Sequence, residues 1–197
     1  MSDMIKMVVV LTVLAAFSGG LLAAVRDNTQ EKIQNQQLKF VKGPALNDIF
    51  KEAANDPIQD RFTFQKDGQE KVVFVGVYGG DPKAVAMEAY GKGYGGDVGV
   101  MVGIDLTTDK IMGVAVTTHA ETPGLGAKAK DEPGLSSQFA GLGVDDPIKV
   151  TQDGGNINAI SGATITSRAV ASAAGKVAEM YKTIKPELET NAKQFAK

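Results

Sequence analysis

Cysteine is absent from the 197-residue chain, and histidine occurs once, as His119. Without thiolates the chain cannot ligate an iron–sulfur cluster, build a cysteine zinc site or close a disulfide. One histidine cannot form a histidine metal cluster, so no metal site is expected and no residue is assigned a catalytic role. Any redox chemistry has to come from an organic cofactor. A strong excess of one charge is also missing. The formal net charge is −2, and no basic face is evident to neutralise phosphates, which argues against nucleic-acid binding. Charged residues make up an ordinary 22%, which excludes wholesale disorder and leaves room for one globular domain with a core.

What the chain does have is one long apolar run. Met7 to Val25 contains nineteen residues without a charge, bracketed by Lys6 and Arg26. A helix of that length spans about 28 Å at ~1.5 Å per residue, close to the ~30 Å hydrocarbon core. A cleaved signal peptide would have a shorter apolar stretch and a small-residue cleavage site, and Leu22 occupies the −3 position before Ala24. A retained transmembrane anchor over residues 1–26 is the expected reading, in contact with membrane lipid. Residues 27–44 follow as a polar stalk or linker helix, with Ile33, Gln37 and Phe40 as a weak stripe ending near Gly43–Pro44.

The globular part is expected over 45–188, with 189–197 as a loose, charged terminal extension. Period-two patterning places strands at 62–64, 71–78, 84–90, 98–104, 111–118 and 148–150, with Asp105–Lys110 as a hairpin loop. Thr166–Thr183 has the clearest helical periodicity, with Ala169, Val170, Ala173, Val177, Met180 and Tyr181 on one narrow apolar face. The expected fold class is α+β: a twisted, mainly antiparallel sheet with helices packed on it, behind one transmembrane helix.

Two segments bear on chemistry. Ser161-Gly162-Ala163-Thr164-Ile165-Thr166-Ser167 stands directly before the helix, offering hydroxyls, small residues and first-turn N–H groups where the helix dipole favours an anion. The same residues also read as an ordinary N-cap and packing segment. The second is His119-Ala120-Glu121-Thr122-Pro123-Gly124-Leu125-Gly126, leaving the end of a strand. His119 and Glu121 suit proton chemistry and the Pro-Gly pair suits a tight turn near a planar ring, or the segment is a plain exposed loop. Tyr94, inside Gly93-Tyr94-Gly95-Gly96, either stacks on an aromatic ligand or is a half-buried loop residue.

The combination SGATITS, HAETPGLG and GYGG, in this chain order behind a single anchor, resembles the FMN-binding domain shared by the G subunit of the Rnf complex and the C subunit of the sodium-pumping NADH:quinone oxidoreductase. Length and the short stalk resemble the former more. The resemblance implies FMN joined by a phosphoester to Thr164, delivered by a flavin transferase that splits FAD. Ser161, Gly162 and Ala163 would shape the attachment site, and Thr166 and Ser167 would hydrogen-bond the phosphate. The loop His119, Glu121, Thr122, Pro123, Gly124, Leu125 and Gly126 would lie beside the isoalloxazine, where His119 or nearby N–H groups stabilise the reduced ring, with Tyr94 close by. One departure stands out: Asn158 occupies the position, three residues before Ser161, where such domains commonly carry an aspartate.

The implied function is electron relay in a membrane-bound, ion-translocating ferredoxin:NAD oxidoreductase. Other iron–sulfur and flavin subunits would be its partners, and the domain would face the extracytoplasmic side. The alternatives are the C-type subunit of the quinone-reducing complex, or a membrane-anchored regulatory flavoprotein without turnover of its own.

Overall fold

The structure of the protein, a computed structural model, describes residues 2–66 and 68–196. The chain divides into two compact units, Met1–Lys39 and Phe40–Lys197. The first is one helix, α1, Ser2–Gln37. Its segment Ser2–Gln30 is long and apolar enough to cross a membrane, with a mean hydropathy of 2.4. Val8, Leu11, Phe17 and Leu22 point outward on all sides, which is stable only against an apolar medium. The polar residues after Arg26 are helical: α1 continues through them without a break to Gln37.

A π-turn, Leu38–Lys42, then leads into α2, Gly43–Ile49. Gly43–Pro44 thus opens a helix, where the sequence pattern suggests the end of one. Proline in the first turn gives up an N–H that has no intrahelical partner anyway.

The second unit is built on a meander of five antiparallel strands in the order β1-β2-β3-β4-β5. They are β1 Arg61–Lys66, β2 Gln69–Tyr78, β3 Asp81–Lys92, β4 Asp97–Asp105 and β5 Lys110–Thr118. Alternate residues of β3 and β4 separate the two faces. Val85 and Met87 with Val98, Val100, Val102 and Ile104 face the long helix α5, Thr164–Ala192, and form the main core. The opposite face is covered by α2 through Leu46, Ile49 and Phe50. Two short helices, α3 Lys128–Asp131 and α4 Pro133–Ser136, follow β5.

Small residues on α5, namely Ala169, Ala173 and Ala174, bring it close to the sheet. A Cβ at Gly91 would lie 1.9 Å from the Ala169 carbonyl oxygen, so only glycine fits beneath the first turns of the helix. The far half of α5 is tied down by the β4–β5 hairpin. There the Asp109 carboxylate accepts from Tyr181 Oη (2.5 Å) and Lys185 Nζ (2.7 Å).

Two expectations are corrected here. The residues after Thr183 are not loose as far as Phe195: α5 runs on through Pro186 to Ala192, and a 3-10 turn follows over Lys193–Phe195. The apolar repeat Val177, Tyr181, Ile184, Leu188, Ala192 continues to be buried, and Phe195 stacks on Phe62 with ring centroids 6.4 Å apart. That burial outweighs the ~3 kcal/mol that an internal proline costs a helix. The strand expected at 148–150 is only an isolated parallel bridge, Val150 to Ile157. The chain turns at once through Thr151–Asp153 and Gly154, leaving no length for a ladder.

Candidate functional site

In an antiparallel meander the end of β3, the start of β4 and the end of β5 lie at the same end of the sheet. The topology therefore gathers the Gly93–Gly96 connection and the loop after Thr118 side by side, and α5 begins beside them. The three segments enclose a cavity of about 550 Å³, lined by Tyr94, Glu121, Thr122, Leu125, Gly126, Gly162, Ala163, Thr164, Ile165 and Thr166. That volume lies within the range of small-molecule sites, ~300–1,000 Å³.

Glu121 joins all three segments. The residue is 6% exposed. Oε1 accepts from Gly95 N (2.8 Å), and Oε2 accepts a short hydrogen bond from Thr166 Oγ1. The packing around it is tight: a Cβ at Gly126 would sit 2.5 Å from Glu121 Oε2 and 2.7 Å from Thr166 Oγ1. Among the described residues, no lysine, arginine or histidine forms an ion pair with this carboxylate.

Thr164 is the first residue of α5, after Ala163 as N-cap, which supplies no side-chain cap. The first bond of the helix is Ser167 N to Ala163 O, at 2.9 Å. The N–H groups of Thr164, Ile165 and Thr166 thus have no acceptor within the helix and lie at its positive end. Thr164 itself is half-buried, on the cavity wall.

The hydroxyls expected to serve a phosphate are arranged differently. Ser167 is fully buried and does not line the cavity. Its hydroxyl donates to Ala163 O (3.0 Å) and accepts from Ile160 N (2.9 Å), which fixes the bend before the helix. Thr166 lines the cavity, but its one hydroxyl proton goes to Glu121, leaving the oxygen as an acceptor.

Ser161, His119, Pro123 and Gly124 are not in the cavity wall either. Ser161, Pro123 and Gly124 are exposed. His119 is half-buried, and its Nδ1 accepts from Glu121 N at 3.3 Å, a contact internal to the loop. Tyr94 stands at the mouth, 76% exposed, with Leu125 at 50%. Ile165 completes this apolar rim at 47% and is the lining residue that the sequence pattern missed. Its signal was an isoleucine in the first turn lying off the apolar stripe of α5.

Asn158 lies upstream of the site on an exposed stretch. Its backbone is held in both directions by the Gln138 side chain, at 2.7 Å and 3.1 Å, and its own side chain is turned to solvent.

Residues 93–179 match the FMN-binding domain family. The chain is 34% identical over 182 residues to the G subunit of the ion-translocating oxidoreductase complex of Vibrio cholerae serotype O1 (strain M66-2), covering 86% of each chain. With its counterpart from Cereibacter sphaeroides (strain ATCC 17023) it shares 41% identity over 124 residues, covering 59% of this chain and 55% of the other. Among solved structures, the fold is similar to the crystal structure of Shewanella oneidensis NqrC. The TM-score is 0.53 at 26% identity, over 70% of this chain and 72% of that one.

Proposed function

Because the chain belongs to the G-subunit family of ion-translocating oxidoreductase complexes, we propose that it is an electron-relay subunit of such a complex and carries FMN in the cavity at the start of α5. The flavin phosphate is joined to the Thr164 hydroxyl as a phosphoester. Other membrane subunits with iron–sulfur and flavin centres pass electrons to and from this domain. A flavin transferase acts on the chain during maturation, α1 anchors it in the membrane, and the second unit faces the extracytoplasmic side.

One observation carries the reading: the three segments GYGG, HAETPGLG and SGATITS, far apart in sequence, converge on one cavity through Glu121. The residues present fit a phosphate-bearing planar group. Three first-turn N–H groups without acceptors within the helix lie beside the Thr164 hydroxyl, and an anion there gains from hydrogen bonds and helix dipole together. Gly162 and Ala163 keep the approach to Thr164 free of side-chain bulk. Tyr94, Leu125 and Ile165 offer apolar surface at the mouth for a ring to lie against.

When bound, FMN supplies one- and two-electron redox chemistry that no side chain of this protein offers. The protein fixes the ring near the domain surface, where a partner can approach, and sets the charge around it. A covalent link removes dissociation in a compartment with little free FMN to rebind.

The test is in-gel flavin fluorescence after denaturation, with peptide mass spectrometry to locate the adduct. Wild type should fluoresce and Thr164→Val should not. Fluorescence retained in Thr164→Val, mapped to Ser161 or Thr166, would overturn the attachment site. An unlabelled wild-type chain from a strain that makes the transferase would overturn the flavin reading. Protease added to spheroplasts should cut the second unit; protection there, with an external control digested, would reverse the topology.

A further inference from the structure

We propose that Glu121 is a fixed negative charge in the wall of the cofactor cavity, and that it holds the potential of the bound flavin down. The inference rests on the proposed FMN site and concerns how that site is tuned. The sequence pattern offers Glu121 as a proton-transfer group, but the structure gives it another position. Both carboxylate oxygens are engaged, Oε1 as acceptor from Gly95 N and Oε2 in a short hydrogen bond with Thr166 Oγ1, an arrangement that supplies donors to a carboxylate. The residue is 6% exposed and has no ion-pair partner among the described residues. A buried charge is weakly screened, so its field reaches across the cavity that it lines.

Its place beside a phosphate site calls for a reason. A carboxylate there does nothing to attract an anion, and it draws the Thr166 hydroxyl proton away from one. What it does provide is a brace between two loops and a helix, plus a unit of negative potential at the cavity wall. Full reduction of a flavin ring takes two electrons from an iron–sulfur or flavin donor, and with uptake of one proton it leaves one added negative charge. Glu121 opposes that added charge. At an effective dielectric constant of about 20, a unit charge within the width of a cavity this size changes the equilibrium constant for reduction on the order of tenfold or more.

The Glu121→Gln variant separates charge from brace. The glutamine oxygen still accepts from Gly95 N, and its amide NH2 can donate to Thr166 Oγ1, so shape and both contacts survive while the charge goes. Thr166→Val is the complement: it keeps the charge and removes one of the two donors that partly neutralise it.

The experiment is a spectroelectrochemical titration of the covalently bound flavin in the full-length, detergent-solubilised chain. Glu121→Gln should shift the midpoint to a more positive potential, by about a tenfold change in the equilibrium constant. Thr166→Val should shift it the other way and by less. A Glu121→Gln midpoint equal to or below that of wild type overturns the inference while leaving the FMN reading intact. Should Glu121→Gln fail to take up flavin, Thr166→Val decides, and an unchanged or more positive midpoint overturns the inference. Loss of flavin from both variants also overturns it, since a charge that tunes potential is not needed for loading. A wild-type chain without flavin overturns both the FMN reading and this one.

Discussion

Two cavities of nearly equal size flank the same helix, and they differ in what their polar groups are doing. The one at the start of α5, about 550 Å³, has first-turn N–H groups without acceptors within the helix, a buried carboxylate that no cation pairs with among the described residues, and an apolar rim open to solvent. The other, about 500 Å³, lies between α5 and residues 144–153. Three of its charged side chains, Arg168, Asp153 and Asp146, are already engaged within the fold. Arg168 forms a two-pronged pair with Asp153, at 2.5 Å and 2.9 Å, and Asp146 accepts from Gly143 N at 2.7 Å. Cavity volume does not distinguish the two. Unspent hydrogen-bonding capacity does, because groups left unpaired by the fold are the ones a ligand can complete.

The largest expected effect separates the cavities outright. Thr164→Val, which removes one oxygen and keeps the shape, should abolish covalent flavin. Arg168→Ala in the second cavity should leave in-gel fluorescence at the wild-type level. Equal loss in both variants would break the comparison.

Next come two glycines. Gly126→Ala pushes a methyl group against Glu121 and Thr166, and should destabilise the folded chain by about 1–3 kcal/mol in chemical denaturation. Gly175→Ala, in the second cavity, places its methyl 3.6 Å from the Ile148 carbonyl oxygen, an ordinary contact, inside a helix. That change should stabilise by ~1 kcal/mol, so the two substitutions should move the denaturation midpoint in opposite directions.

Smaller again is an effect on the shared helix, away from either cavity. The Asp109 carboxyl is held below its ordinary value of 3.8 first by the hydrogen bond from Lys185, then by that from Tyr181. A lowered folded value means that its contribution is complete above pH 3.8 and is lost as pH falls through that lowered value. Asp109→Asn should therefore reduce stability at neutral pH and flatten its decline below about pH 4, read from melting temperature against pH. Arg168→Ala closes the series. Its ion pair with Asp153 is at the surface, so the melting temperature should move little, and less still in high salt.

Much of this could be read from the residues. The alternation Val98, Val100, Val102, Ile104 gave β4, and the stripe from Ala169 to Tyr181 gave α5, because one-sided burial imposes a period on the sequence. The three motif segments were legible as well, and they line the cavity together. What the pattern could not carry was direction. Ser167 and Thr166 are two hydroxyls in the same turn, yet one points into the bend before the helix and the other at Glu121, and only the packed backbone decides which. Glu121 was visible as a candidate but not as a brace, since its partners lie 26 and 45 positions away. The extent of α5 was hidden by Pro186, a local stop signal overridden by the burial of Leu188 and Ala192.

The strand order has a bearing on when the site comes into being. Every strand pairs with its neighbour in sequence, so the sheet can zip up hairpin by hairpin from its amino-terminal end. The helix that covers its main face is the last long element to be made, and it begins at Thr164. Glu121 and Gly95 are already in place by then, but the second contact, to Thr166, waits for that helix to dock. A chain truncated before Thr164 can thus own all five strands and two of the three loops yet lack the wall that the start of α5 gives the cavity. On the proposed function, flavin loading then reports that α5 has docked on the sheet.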